Sequence, residues 1–364
     1  MKKFLFHPLL ITLFTIIIIF LLPMLIPDSK VETLNDDTLR ELALNDGLKS
    51  IPKSYKELLK VIDNPQNPLS QDKIALGKKL FFDNRLSKDQ TINCGSCHLL
   101  NDGGDDNLPT AIGYGGRANP FHLNSPTVLN SALAKAEFWD GRAKDVEEQA
   151  GGPIQAPFEM NMIPKEVEKR LNSDLALVKE FKKVFGEKKI TFENIKKAIG
   201  AYERTLLTRG AYDRFLDGNN SAISKKAKRG MTLFIKKGCM VCHSGMAVGG
   251  ESIQRFPLRR YLDDYLGLQL SPNLTIKESP FPFENIGGFL GRDGRLLFRV
   301  PILRNITKTA PYFHNGSVKD LKEVVRIMSK YQLGDEFDEE DIDAVVEFLK
   351  TLEGQIVEYE SKDL

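Results

Sequence analysis

The longest apolar run in the chain comes first. Residues 4 to 27, FLFHPLLITLFTIIIIFLLPMLIP, contain no Asp, Glu, Lys or Arg and follow Lys2 and Lys3. A run of this length spans about 30 Å of hydrocarbon as a helix. A charged start followed by an apolar run marks a signal anchor or a cleaved signal peptide, and the exit LIPDSKVE offers no A-x-A cleavage site. The positive-inside rule keeps Lys2 and Lys3 cytoplasmic and sends the rest of the chain outside. Residues 28 to 50 turn polar and read as a linker. Beyond them, apolar positions recur at helical spacing over residues 53 to 62, 71 to 82, 128 to 150, 164 to 185, 191 to 209, 224 to 237, 317 to 330 and 338 to 352. Residues 99 to 127 and 247 to 313 are rich in loop-forming residues instead. Long loops in compact domains are usually functional. Strand-like alternation is scarce. The fold class is therefore mainly α, with residues 1 to 27 as anchor or signal, 28 to 50 as linker, and two domains at 51 to 220 and 221 to 364.

Composition narrows the function classes. Apolar residues make up 41% and charged residues 27% of the 364, an ordinary globular balance that excludes a disordered chain or a polytopic membrane protein. The 51 basic and 49 acidic residues leave no footprint for nucleic-acid binding. Four cysteines are too few for a disulfide scaffold, so their placement decides what they do.

All four fall in two copies of one motif. Cys94-Gly95-Ser96-Cys97-His98 and Cys239-Met240-Val241-Cys242-His243 are both C-x-x-C-H, the attachment signature of c-type haem. The thiols add to the porphyrin, and the adjacent histidine reaches the iron as proximal ligand. A zinc site built from two C-x-x-C pairs would leave the histidine after each pair unexplained. An export signal also fits covalent haem assembly outside the cytoplasm. The flanks repeat as well: Gly77-Lys78-Lys79-Leu80-Phe81 precedes the first motif and Gly230-Met231-Thr232-Leu233-Phe234 the second. Such a repeat predicts two related haem domains.

The order of the remaining motifs resembles the bacterial dihaem cytochrome c peroxidases over about residues 50 to 352. The segments that carry the resemblance are Asn124 to Asn130 (NSPTVLN), Phe138 to Ala143 (FWDGRA), Glu148-Gln149-Ala150 with Gly152-Pro153-Ile154, Phe158-Glu159-Met160, Gly238 to Gly245, and Pro311 to Gly316 (PYFHNG). The resemblance implies a low-potential peroxidatic haem held by His98 and a high-potential electron-transfer haem held by His243 and Met328. It implies Glu159 and Gln149 as the groups that handle peroxide, and Trp139 as an electron relay between the haems. It places His314 near the haem edge rather than on iron. It also implies a Ca²⁺ site from Asn124, Thr309 and Pro311. The expected activity is reduction of hydrogen peroxide to water with electrons from a small cytochrome c or a cupredoxin, in the periplasm and near the inner membrane if residues 4 to 27 are retained. Members of that family are often homodimers, which the resemblance extends to this chain. The competing class is a non-enzymatic dihaem electron carrier, against which the series Trp139, Gln149, Glu159 stands. Relatives that mature tryptophan-derived cofactors carry tyrosine where this chain has Met328.

One departure concerns the first haem. Many family members have a histidine in the loop after it that blocks the iron until the other haem is reduced. Here the matching stretch is Ile112-Gly113-Tyr114-Gly115-Gly116, and the nearest histidine is His122. Three states stay open: Tyr114 ligates, His122 ligates, or the iron is five-coordinate.

Overall fold

The computed structural model of the chain describes residues 31 to 258 and 280 to 358. The apolar run at residues 4 to 27 lies outside them, and with it the anchor expectation. Among the described residues no helix is long and apolar enough to cross a membrane.

Helices carry the fold. They are α1 (Asp36–Asn45), α2 (Tyr55–Ile62), α3 (Gln71–Phe81), the single turn α4 (Cys94–Cys97), α5 (Val146–Gln155), α6 (Pro164–Asn172), α7 (Leu175–Phe185), α8 (Phe192–Glu203), α9 (Ala211–Leu216), α10 (Lys225–Lys236), α11 (Leu321–Met328) and α12 (Glu339–Lys350). Three two-stranded antiparallel ladders appear among the described residues. They pair β1 (Ile112–Gly113) with β2 (Arg117–Ala118), β3 (Thr208–Gly210) with β6 (Gly354–Ile356), and β4 (Ile253–Arg255) with β5 (Leu297–Arg299). Most helix starts are fixed by short polar caps. The side chains of Ser70, Asp145, Thr191, Ser224, Asp320 and Asp338 each accept a bond from a backbone N–H in the first turn, which satisfies donors the helix itself leaves unpaired.

Several expected elements are corrected. The region 28 to 50 is not simply a linker: α1 buries Leu39 and Ala43, and Gly245 N donates to the Gly47 carbonyl at 2.9 Å. The helix expected over 128 to 150 is mostly loop, because Asn130, Phe138 and Gly141 take positive φ and no helix passes through them; only α5 remains. The helix expected over 164 to 185 breaks into α6 and α7 where Asp174 turns outward to cap the second. The one expected to 209 ends at Glu203, and its tail becomes β3. After α11, residues Ser329–Leu333 form a π turn.

The flank repeat has a packing cause. A Cβ on Gly77 would collide with the Ala198 carbonyl oxygen, and one on Gly230 with that of Ala344. Each glycine lets two helices cross in backbone contact, α3 with α8 and α10 with α12. The phenylalanine one turn on then packs between that partner helix and the haem histidine. Phe81 lies 5.4 Å from Tyr202 and 6.5 Å from His98; Phe234 lies 5.1 Å from Phe348 and 6.4 Å from His243.

A second repeat shows only in the hydrogen bonds. Asn130 and Asn305 both take left-handed φ, as do Phe138 and Phe313, and Gly141 and Gly316. Asn130 N donates to the Leu206 carbonyl and Asn305 N to that of Leu352. Thr208 N donates to Asn130 Oδ1 and Gly354 N to Asn305 Oδ1. Glu137 bridges Ala143 as Tyr312 bridges Val318. The halves are therefore related residue by residue, and both belong to the unit Leu34–Leu364. They meet at Thr208, which is fully buried and whose hydroxyl accepts from Asn130 Nδ2 and Asn305 Nδ2, each at 3.0 Å.

That shared acceptor is testable. Thr208→Val orphans two buried amide donors, each costing about 1–3 kcal/mol. Chemical unfolding of the haem-loaded protein should show a loss of about 2–4 kcal/mol. Thr208→Ser keeps the hydroxyl and should cost much less.

Candidate functional site

Each C-x-x-C-H motif opens onto a cavity. The first, about 340 Å³, is walled by Cys94, Cys97 and His98. Asn93 starts the short helix α4 with a capping box shared with Ser96, so both thiols and the imidazole leave one turn. His98 Nδ1 is 3.1 Å from the Gly104 carbonyl oxygen, which fixes the tautomer that leaves Nε2 free for a metal. The second cavity, about 210 Å³, is walled by Cys239, Cys242, His243 and Met328. Burial lowers the pKa of His98 against the raising effect of the Gly104 carbonyl. Burial pulls His243 down to about 4, opposed by the backbone of Pro301 and Val248. Both rings are therefore neutral, the form that ligates iron. Two thiols and one neutral imidazole on the wall of an apolar cavity fit a covalently held haem in each half, and the second wall adds a thioether.

One thin wall separates the cavities. Trp139 and Asn124 to Thr127 line both. Trp139 Nε1 donates to the Asn124 carbonyl at 2.8 Å, and Asn124 N donates to the His314 carbonyl at 2.8 Å. Arg299 N donates to the Trp139 carbonyl at 2.8 Å. The indole and the His314 ring stand edge-on, 6.4 Å apart. His314 lines the second cavity. Burial lowers its pKa to about 4, and its Nε2 lies 3.0 Å from Asn285 Oδ1. Asn124 Nδ2 donates to the carbonyls of Leu108 (2.8 Å) and Pro311 (3.2 Å), and Thr309 lines the same cavity. Among the described residues no three His, Cys, Asp or Glu side chains gather as a metal site.

Glu159 and Gln149 both reach the first cavity. Gln149 projects from α5. Glu159 follows in a loop whose carbonyl accepts from Tyr114 N at 2.6 Å. Gly113 is required there, since a Cβ would meet the Phe158 carbonyl. Burial raises the pKa of the Glu159 carboxyl, and the charge of Arg142 partly offsets it. Arg142 stacks 3.6 Å above the Phe138 ring and bonds Asp140 at 2.9 Å.

Neither residue considered as a sixth ligand lines that cavity. Tyr114 turns outward, with Lys88 Nζ and the Arg117 guanidinium 5.6 and 5.5 Å from its ring. His122 is half-buried and its Nδ1 finds no hydrogen-bond partner among the described residues. The repeat adds a point the sequence reading missed. α5 and α11 are equivalent, each capped by an aspartate, Asp145 or Asp320. Pro153 on the first cavity wall therefore stands where the second half has Met328, and Gln149 where it has Val324. The sequence reading also passed over Glu137, Glu203 and Arg299 on these walls. Because the asparagine-led repeat shows only in the hydrogen bonds, no spacing in the sequence singled out Glu137.

Comparison with known proteins agrees with this layout. The family model for di-haem cytochrome c peroxidase matches residues 71–221, and the cytochrome c model matches 227–353. The cytochrome c551 peroxidase of Pseudomonas aeruginosa is 39% identical over 84% of each chain. That of Nitrosomonas europaea is 41% identical over 79% of this chain and 81% of its own. Among solved structures, a MauG-like protein associated with microbial copper homeostasis superimposes with a TM-score of 0.65. It is 26% identical and covers 80% of this chain and 92% of its own.

The placement of Tyr114 and His122 off the wall of the first cavity carries a prediction. In the ferric protein, Tyr114→Phe and His122→Ala should leave the Soret band and azide binding at the first haem unchanged. A shifted band in either variant would mean that the side chain reaches the iron.

Proposed function

Because the chain belongs to the di-haem cytochrome c peroxidase family, and is an oxidoreductase acting on hydrogen peroxide, we propose that the first cavity is where peroxide is reduced and that Glu159 moves its proton. The overall reaction is H₂O₂ + 2e⁻ + 2H⁺ → 2H₂O. Haem bound in the first cavity would supply the iron that binds peroxide and passes electrons to it. The observation that carries the reading is that Glu159 and Gln149 converge on a cavity whose helix offers Pro153 where its counterpart offers Met328. Proline has no donor atom to close that side.

The chain's own groups then have distinct tasks. The Glu159 carboxylate takes the proton from the near oxygen of peroxide and returns it to the departing one, as base and then acid. The Gln149 amide donates a hydrogen bond that orients the substrate. In the second half, His243 and Met328 would hold a haem, which would supply the site for electrons arriving from a small cytochrome c or cupredoxin. Met/His ligation favours a high potential. Trp139, touching both cavities, is the relay between them. An electron-carrier role would need both irons closed, which Pro153 argues against.

Ca²⁺ fits the wall between the cavities, with oxygens of Asn124, Thr309 and Pro311 as ligands. Turning the Asn124 amide over would present Oδ1 towards Pro311, where Nδ2 now donates. The charge-free run at residues 4 to 27 supports a periplasmic location held at the inner membrane.

Two outcomes test the proton role. Glu159→Gln should lower kcat by about 100-fold or more with both haems retained. Arg142→Met removes the charge that lowers the Glu159 pKa. The base works ionised, so the acid limb of the kcat/KM profile should move to higher pH.

A further inference from the structure

The first half buries more carboxylates than it can neutralise. Glu147 Oε1 accepts from Asn67 Nδ2 at 2.9 Å and lies 3.3 Å from Arg204 Nε. Glu137 is 5% exposed; its Oε2 lies 3.7 Å from Arg299 Nη1, and its Oε1 finds no hydrogen-bond partner among the described residues. Lys73 is taken up by Asn67 Oδ1 and the Pro68 carbonyl. Glu203, 5% exposed at the end of α8, has no cation of its own among the described residues. The charged groups that act on it, Glu137 and Glu147, are both acidic, and Asp145 adds to the field on Glu137. Tyr202 beside it is itself held un-ionised by burial. A buried carboxylate with no counter-charge neutralises by taking a proton.

This arrangement belongs to one half alone. Glu203 and Glu137 both line the first cavity together with Glu159. Their counterparts in the repeat are Leu349 and Tyr312, which line the second. Among the described residues the two acids therefore line only the cavity where the proposed chemistry consumes protons.

We propose that Glu203, a carboxyl on the cavity wall it shares with Glu137, is the proton reservoir of the first cavity, delivering one proton per peroxide and refilling from solvent. The Glu203 O–H bond breaks and its proton ends in an O–H bond of product water. The second proton comes from solvent, and both electrons come from the redox-protein donor. Uptake of a solvent proton by the Glu203 carboxylate restores the acid. Burial and the acidic neighbours raise the Glu203 pKa well above the ordinary carboxylate value, in accord with the charge census. The inference rests on the peroxide chemistry proposed for this cavity.

Infrared spectroscopy of the resting, haem-loaded ferric protein tests it independently of turnover. At neutral pH the protein should show a carboxylic-acid carbonyl stretch that shifts in D₂O and is lost in Glu203→Gln. In Glu137→Gln the like charge is gone and Arg299 is freed. The band should then persist at low pH but titrate away at lower pH than in the parent. In steady state Glu203→Gln should lower kcat on the order of 10-fold, less than expected of a group that touches peroxide, and most at high pH. A band untouched by Glu203→Gln with both haems present overturns the proposal, as does a lost band with an unchanged kcat–pH profile. If Glu203→Gln fails to fold, an unmoved titration in Glu137→Gln overturns it. If the peroxidase reading were at fault instead, the parent would show the band and no turnover.

Discussion

One buried hydroxyl ties the molecule together. Asn130 and Asn305 begin equivalent segments in the two halves, and both spend their amide N–H on Thr208 Oγ1. The same residue sits in β3, which pairs with β6 across the junction. The fully buried pair Arg304–Asp213 braces it, with Arg304 Nη1 also donating to the Thr208 carbonyl at 3.2 Å. Buried polar groups without partners are costly, so these contacts fix the relative placement of the asparagine-led segments. Those segments end in Trp139 and His314. The contact between the two rings, and hence the thickness of the wall between the cavities, follows from that pin.

Two equivalent halves that differ in polarity give one scaffold two differently lined cavities. The crossing glycines, the phenylalanines beneath the haem histidines and the capped helices recur unchanged in role. What differs is a handful of wall positions. Pro153, Gln149, Glu137 and Glu203 face the first cavity, and Met328, Val324, Tyr312 and Leu349 face the second. The first set lines its cavity with two carboxyls, an amide and a proline ring. The second lines its cavity with a thioether, two aliphatic side chains and a phenol.

The sequence made some of this legible and hid the rest for physical reasons. The haem attachment residues could be read directly, because covalent linkage and ligation need three side chains from one turn. The flank repeat was visible because only glycine permits the α3–α8 and α10–α12 crossings. The second repeat was hidden, since its work is done mainly by backbone N–H and C=O groups and few side chains recur. The apolar spacing at 128 to 150 mimicked a helix because that loop packs against both cavities. Residues 28 to 50 looked like a linker because α1 buries only Leu39 and Ala43 on a polar helix. Glu159, Gln149 and Met328 came from family resemblance, and nothing in their own spacing set them apart from surface or core residues.

The bond from Trp139 Nε1 to the Asn124 carbonyl has a consequence for the relay role proposed for this indole. An amide carbonyl is far too weak a base to accept the indole proton. An electron that leaves or enters Trp139 therefore does so with the N–H intact, and the site carries charge without carrying hydrogen. Under the roles proposed above, proton traffic would keep to the acidic wall of the first cavity and electron traffic to the aromatic wall beside it. The two currents that peroxide reduction must bring together would then run on separate tracks until they meet at the substrate.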